Sequence, residues 1–142
     1  MIFRIPLLKI DIPGGGMHLA CRLYGHSAAC YVLIDTGASV SVFDDELMTE
    51  HITGKTEVDD DGLASGVNAP IENQTFGKLS GVAVETLPLY EQKVGLMDLS
   101  HLRELYAEYF DISICGLIGS DFLEKYEAEI LYKYGILRLH KL

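Results

Sequence analysis

CYVLIDTGASVSVF, residues Cys30 to Phe43, decides the reading of this chain. Five strand-forming residues, Cys30 to Ile34, run directly into Asp35, Thr36, Gly37, Ala38 and Ser39. Large apolar and β-branched side chains favour a pleated, buried strand, whereas Asp, Gly and Ser favour a turn. A strand built for burial therefore ends by presenting a carboxylate and a hydroxyl where the chain reverses. Taken alone, Asp35 is an ordinary turn acid that bonds nearby N–H groups.

A second stretch changes its weight. ISICGLIGSDFLEKY, residues Ile112 to Tyr126, again has an apolar strand, a glycine-containing turn, a hydroxyl residue and a short acidic helix. Only the first stretch carries a carboxylate in its turn. The two motifs in this order resemble those of the retropepsin-like aspartic proteases, the single-domain relatives of pepsin. The counterparts are Asp35 to Ser39, then a flap hairpin within Gly62 to Pro70, then Leu117, Ile118 and Gly119 leading to Ser120, Asp121 and Phe122. The resemblance spans most of the chain. It implies a mostly β fold, a retropepsin-like closed β-barrel with a few short helices, formed as one domain over residues 1–142. It also implies a catalytic Asp35, dyad support from Thr36 and Gly37, and substrate contacts from Ala38, Ser39, Gly62, Leu63, Ala64, Ser65 and Gly66. Leu117, Ile118 and Gly119 become a structural turn. Where viral members pair an acid with an arginine, this chain has Ser39 and Ser120.

Peptide hydrolysis without a metal or a covalent intermediate needs two acids, one ionised to deprotonate water and one protonated to polarise the scissile carbonyl. There is one Asp-Thr-Gly, and the turn at Gly116 to Gly119 offers no acid. The second carboxyl then comes from a second copy, so the expectation is a homodimeric aspartic endopeptidase acting on a peptide or protein, with no cofactor. Gly37, lacking a Cβ, lets backbone crowd around the carboxylates. A non-proteolytic dimerisation or peptide-binding module of the same fold stays open, because fold alone does not set function. A rival reads LIDTGAS as the phosphate turn of actin- and sugar-kinase-like ATPases. Those close two lobes and need further nucleotide motifs, which a 142-residue domain does not house.

The remaining sequence supports one β-rich domain. FRIPLLKIDI and HLACRLY flank PGGG as a hairpin, ACYVLI is a third strand, and DDELMTEH offers a helical turn whose acids Asp44, Asp45 and Glu46 suit a helix start. Leu99, Leu102, Leu105, Tyr106 and Tyr109 fall at helical spacing, with Asp98 or Ser100 as N-cap. This helix lengthens the chain beyond compact viral members and is placed to cover one end of the cleft. The final residues read as two strands hinged near Tyr134 and Gly135. The apolar termini are expected at the dimer contact or as internal strands. A net charge of −10 argues against nucleic acid or anionic lipid as partner. No run reaches membrane-span length, and the start, broken by Arg4, Pro6, Lys9 and Asp11, is unlike a signal peptide. The three cysteines have no metal spacing and suit a reducing, cytoplasmic setting. His18, His26, His51, His101 and His140 show no i,i+4 pair or Cys partner, so no metal is expected from spacing.

Overall fold

The computed structural model describes residues 1–57 and 74–142. The expected flap residues Gly62, Leu63, Ala64, Ser65 and Gly66 lie outside the described residues. The first apolar run divides at Leu7 into β1 (Ile2–Pro6) and β2 (Leu8–Ile12), which enter different sheets. Pro6 has no N–H to continue a ladder, and Leu7 instead donates its N–H to Gly135 O at 2.8 Å. The PGGG turn then joins β2 to β3 (Gly16–Tyr24), with Ile12 opposite Gly16. β4 (Cys30–Ile34) and β5 (Val42–Asp44) bracket the Asp35 turn. The expected helical turn after β5 is a turn followed by one 3₁₀ turn at Thr49–His51. There follow β6 (Ile52–Thr56), β7 (Thr75–Leu79), β8 (Val82–Val84), β9 (Leu87–Leu89) and β10 (Gln92–Met97).

The expected helix forms as α1 (Ser100–Phe110). Leu99 occupies its N-cap position, so neither Asp98 nor Ser100 is the cap, although Asp98 accepts the Ser100 N–H at 2.9 Å. Leu99, Leu102, Tyr106 and Phe110 form the inward stripe, while Leu105 and Tyr109 face outward. After α1 come β11 (Ile114–Ile118), α2 (Ser120–Lys125), β12 (Glu129–Leu131) and β13 (Ile136–His140).

The large sheet has the order β6-β7-β10-β5-β11-β4-β3-β8-β9, with β2 also on β3. It curls into a half-barrel. Closure of the barrel is not seen among the described residues, because β6 and β9 end the order without pairing to each other. A second sheet, β1-β13-β12, joins the two termini within one chain: Ile2 lies opposite His140 and Pro6 opposite Ile136. Ile5, Leu137 and Leu139 of that sheet are fully buried in the main core with Val32, Phe43, Val94 and Ile118. The termini thus pair with each other and contribute Ile5, Leu137 and Leu139 to the core.

β4 explains how a continuous apolar run is used. Alternate residues of a strand point to opposite faces. Val32 enters the main core, whereas Leu33 enters a second cluster with Ile10, Ala20, Ile114 and Tyr106, which α1 covers. A strand buried on both faces needs no polar alternation. Tyr106, fully buried, is the largest side chain of that outer cluster, and burial of such a side chain stabilises by about 2–3 kcal/mol.

Candidate active site

β4 and β5 are consecutive in sequence, yet β11 lies between them. It runs parallel to β4, with Ile118 beside Ile34, and antiparallel to β5, with Gly116 opposite Phe43. Residues 35–41 must therefore cross the end of β11. The crossing is close: Asp35 N–H donates to Ile118 O at 2.8 Å, and Ser120 N–H donates to Ala38 O at 2.7 Å. A Cβ on Gly119 would sit 2.7 Å from Ala38 O and 3.1 Å from the Val40 carbonyl. One on Gly116 would sit 2.5 Å from the Phe43 ring. Gly119 thus lies against the crossing turn and Gly116 against β5.

Ser41 locks the crossing. Its fully buried side chain donates O–H to Asp121 Oδ1 at 2.7 Å and accepts Gly119 N–H at 2.8 Å, while its own N–H donates to the same Asp121 oxygen at 2.9 Å. A hydroxyl is suited to this because it donates and accepts at once. In the sequence Asp121 stands only as a residue following the Leu-Ile-Gly turn, and nothing marks Ser41. Asp121 reads there as an acid opening α2, and the partner 80 residues away has no local signature. The Ser39 and Ser120 side chains form no pair; Ser120 contributes its backbone N–H.

On this base, Asp35, Thr36 and Gly37 are exposed. Gly37 N–H donates to Asp35 Oδ1 at 3.2 Å, and Ala38 N–H donates to Asp35 O at 3.1 Å. Asp35 and Thr36 border a cleft of about 680 Å³. Leu33 and Leu117 line it from the sheet, Leu102 and Tyr106 from α1, and Ile130 and Tyr132 from the C-terminal segment. Among the described residues lining it, Asp35 is the one acid. Ala38 and Ser39 belong to the turn but lie outside that lining, Ile118 is in the core, and Gly119 is at the crossing. A Cβ on Gly37 would meet only Asp35 Oδ1, at 3.6 Å. Nothing else among the described residues demands glycine there.

His18 and Tyr106 also line the cleft and are hydrogen-bonded to each other. His18 Nε2 lies 3.1 Å from Gly15 O, which can only accept, so Nε2 carries the proton and Nδ1 accepts the Tyr106 O–H. Desolvation pushes the Tyr106 phenol above its ordinary range.

The other acids nearby have structural partners. Asp44, 1% exposed, accepts the Leu47 N–H with Oδ1 at 3.0 Å, and with Oδ2 the Leu99 N–H at 3.1 Å and an Arg103 N–H. It is more than a helix-start acid: it fastens α1 to the end of β5. Cys21, Cys30 and Cys115 are buried and free. Burial pushes the Cys21 thiol up to about 12, which leaves it unreactive.

No protein-family model matches the sequence, and no curated protein matches it. Among solved structures, the chain is similar to a retropepsin-like aspartic protease from Rickettsia conorii, with a TM-score of 0.50 and 16% identity, covering 98% of this chain and 91% of that one. It is also similar to the retroviral protease-like domain of Ddi1 from Leishmania major, with a TM-score of 0.43 and 15% identity, covering 86% of each chain. The first likeness shows a retropepsin-like fold. No described helix is long and apolar enough to cross a membrane.

Proposed function

We propose that the chain is an aspartic endopeptidase that works as a homodimer, each copy supplying Asp35 to one shared active site. The observation that carries this reading is an exposed carboxylate on a braced turn, at the border of a largely apolar cleft in which no other described residue is acidic. A lone carboxylate cannot be base and acid in the same step. With two copies of Asp35 together, the ionised one removes a proton from water, and the protonated one donates a hydrogen bond to the scissile carbonyl. As the water oxygen bonds to the carbonyl carbon, the C=O π bond breaks and the protonated carboxyl passes its proton to the carbonyl oxygen, giving a tetrahedral diol and leaving the dyad with the one proton taken from water. That diol collapses as its C–N bond breaks and the amine leaves with a proton from the dyad. Thr36 supports the dyad across the axis, Gly37 leaves room for the second turn, and Ala38 and Ser39 lie beside bound peptide. The substrate is a peptide or protein, and Leu102, Leu117 and Ile130 favour apolar or aromatic side chains near the cleaved bond.

A digest of proteome-derived peptides, run from acidic to neutral pH with wild type and Asp35→Asn, tests this. The expected outcome is cleavage by wild type and at least about a 10³-fold loss in Asp35→Asn with the fold retained. Carboxyls sharing a site ionise in separate steps, so the rate should trace a bell with its maximum below neutral pH. Near-normal cleavage by folded Asp35→Asn would remove Asp35 from the mechanism. Peptide binding without cleavage by wild type would favour the non-proteolytic module.

A further inference from the structure

The loop between β3 and β4 carries His26, at the end of β4 opposite Asp35, and the 3₁₀ turn after β5 carries Glu50 and His51. The five residues of β4 separate this place from Asp35 by about 17 Å along the strand. His26 Nδ1 and His51 Nε2 lie 3.2 Å apart. Glu50 Oε1 is 3.4 Å from the first nitrogen and 3.3 Å from the second. Three potential ligand atoms from three side chains thus form a nearly equilateral triangle.

Hydrogen bonding accounts for this triangle poorly. Each of these nitrogens carries at most one proton, and protons on both would make the N···N edge repulsive. The two N···O edges also exceed the roughly 2.7–2.9 Å usual for a charge-assisted bond. A tetrahedral cation with bonds of about 2.0–2.1 Å spaces its ligands about 3.3–3.4 Å apart. The two N···O edges match that spacing and the N···N edge, at 3.2 Å, falls just short of it, so one ion fits all three with little movement.

The backbone holds the histidines in place. A Cβ on Gly25 would lie 2.6 Å from Gly81 O, so the His26 loop presses on the turn before β8. His51 N–H donates to Met48 O at 2.9 Å, and His51 O accepts the Ser80 N–H at 3.0 Å. The two side chains are only 7% and 11% exposed, whereas that of Glu50 is 61% exposed. Two largely buried imidazoles are thus preset, and the carboxylate side faces solvent as an entry path. Imidazole with carboxylate suits a borderline transition cation better than Mg²⁺ or Ca²⁺, which prefer oxygen ligands alone.

We propose that His26, Glu50 and His51 bind one zinc ion, with water in the fourth position, and that the ion staples the β3–β4 loop to the turn after β5. Binding joins segments 25 residues apart and should raise the unfolding temperature of the chain. The site takes no part in the proposed peptidase chemistry.

The test is zinc equilibrium dialysis of chelator-treated full chain, with cobalt(II) absorption as a report of geometry. Wild type and His101→Ala, an exposed histidine on α1, should each take up about one zinc per chain at roughly 10 μM free zinc. Cobalt should give the intense visible bands of a tetrahedral site. His26→Ala and His51→Ala should weaken binding by more than about 100-fold, and the solvent-facing Glu50→Gln should weaken it measurably. Should the histidine variants fail to fold, the wild-type cobalt spectrum and Glu50→Gln decide. Absence of tetrahedral cobalt bands in wild type, stoichiometry far below one, or zinc uptake equal in the folded variants would each overturn the site.

Discussion

A methyl group added to Gly119 would press on the Ala38 carbonyl from 2.7 Å and on the Val40 carbonyl from 3.1 Å, both backbone that cannot turn aside as a flexible side chain would. Gly119→Ala should therefore destabilise the chain by about 1–3 kcal/mol, read as an earlier midpoint in urea unfolding with an unchanged slope. Gly37 obeys a different constraint, because its added methyl meets only Asp35 Oδ1 at 3.6 Å. Gly37→Ala should stay within about 0.5 kcal/mol of wild type in stability. If a second copy or a substrate fills the space beside it, the same variant should lose dimerisation or peptidase activity. Equal effects of the two substitutions on stability would show that the room at Gly37 is not reserved for something outside the chain.

α1 depends on one buried carboxylate. Asp44 receives the Leu99 N–H, one of the donors left free at a helix start, and the Arg103 guanidinium one turn further on. Arg103→Met keeps much of the packing but leaves Asp44 buried with backbone partners alone. Since the arginine side chain is 29% exposed, the loss should be about 2–3 kcal/mol, below that of a fully enclosed pair. In a double-mutant cycle Arg103→Met and Asp44→Ala should be coupled, and strictly additive effects would argue against the pair acting together. Because Leu102 and Tyr106 wall the cleft, substrate affinity should fall along with stability. At the terminal sheet, the His140 hydrogen bond and then Arg138 hold the Glu129 carboxyl below its ordinary 4.5. A depressed acid stabilises the fold above its unfolded value and loses that contribution as pH falls through the folded one. Glu129→Gln should thus unfold more easily than wild type near about pH 6, and the difference should shrink as pH falls below the ordinary 4.5. A constant difference across that range would count against the linkage.

For the whole molecule, the decisive quantity is the number of carboxylates per active site. A shared dyad makes specific activity fall on dilution as dimers dissociate, and makes excess Asp35→Asn chains poison wild type through mixed dimers. Sedimentation run beside the activity assay reads both effects. Full activity in a species that sediments as a monomer at every concentration would defeat the shared dyad. β1 already pairs with β13 of its own chain over five residues. A dimer of this chain therefore need not exchange terminal strands, and substitutions at Ile5 or Leu137, both fully buried, should act first on folding and only through it on assembly.

Local pattern determines a good deal of this protein. The PGGG hairpin, the apolar strand before Asp35, the helix from Ser100 and the strand before Gly119 are all legible because each rests on neighbours a few residues apart: turn formers, apolar runs and a helical repeat. Asp-Thr-Gly and Leu-Ile-Gly are each legible in the same way, and their occurrence in that order carries the resemblance to the retropepsin-like family. Contacts between segments far apart in sequence left no such trace. Ser41 with Asp121, Asp44 with Arg103, and His26 with His51 are 80, 59 and 25 residues apart. A single side chain of common type does not announce a distant partner. The division of the first apolar run between two sheets, and the open order from β6 to β9, likewise depend on which edges meet after the sheet has curled. Propensity sets what each segment becomes, but burial and hydrogen bonding across the folded chain decide what it touches.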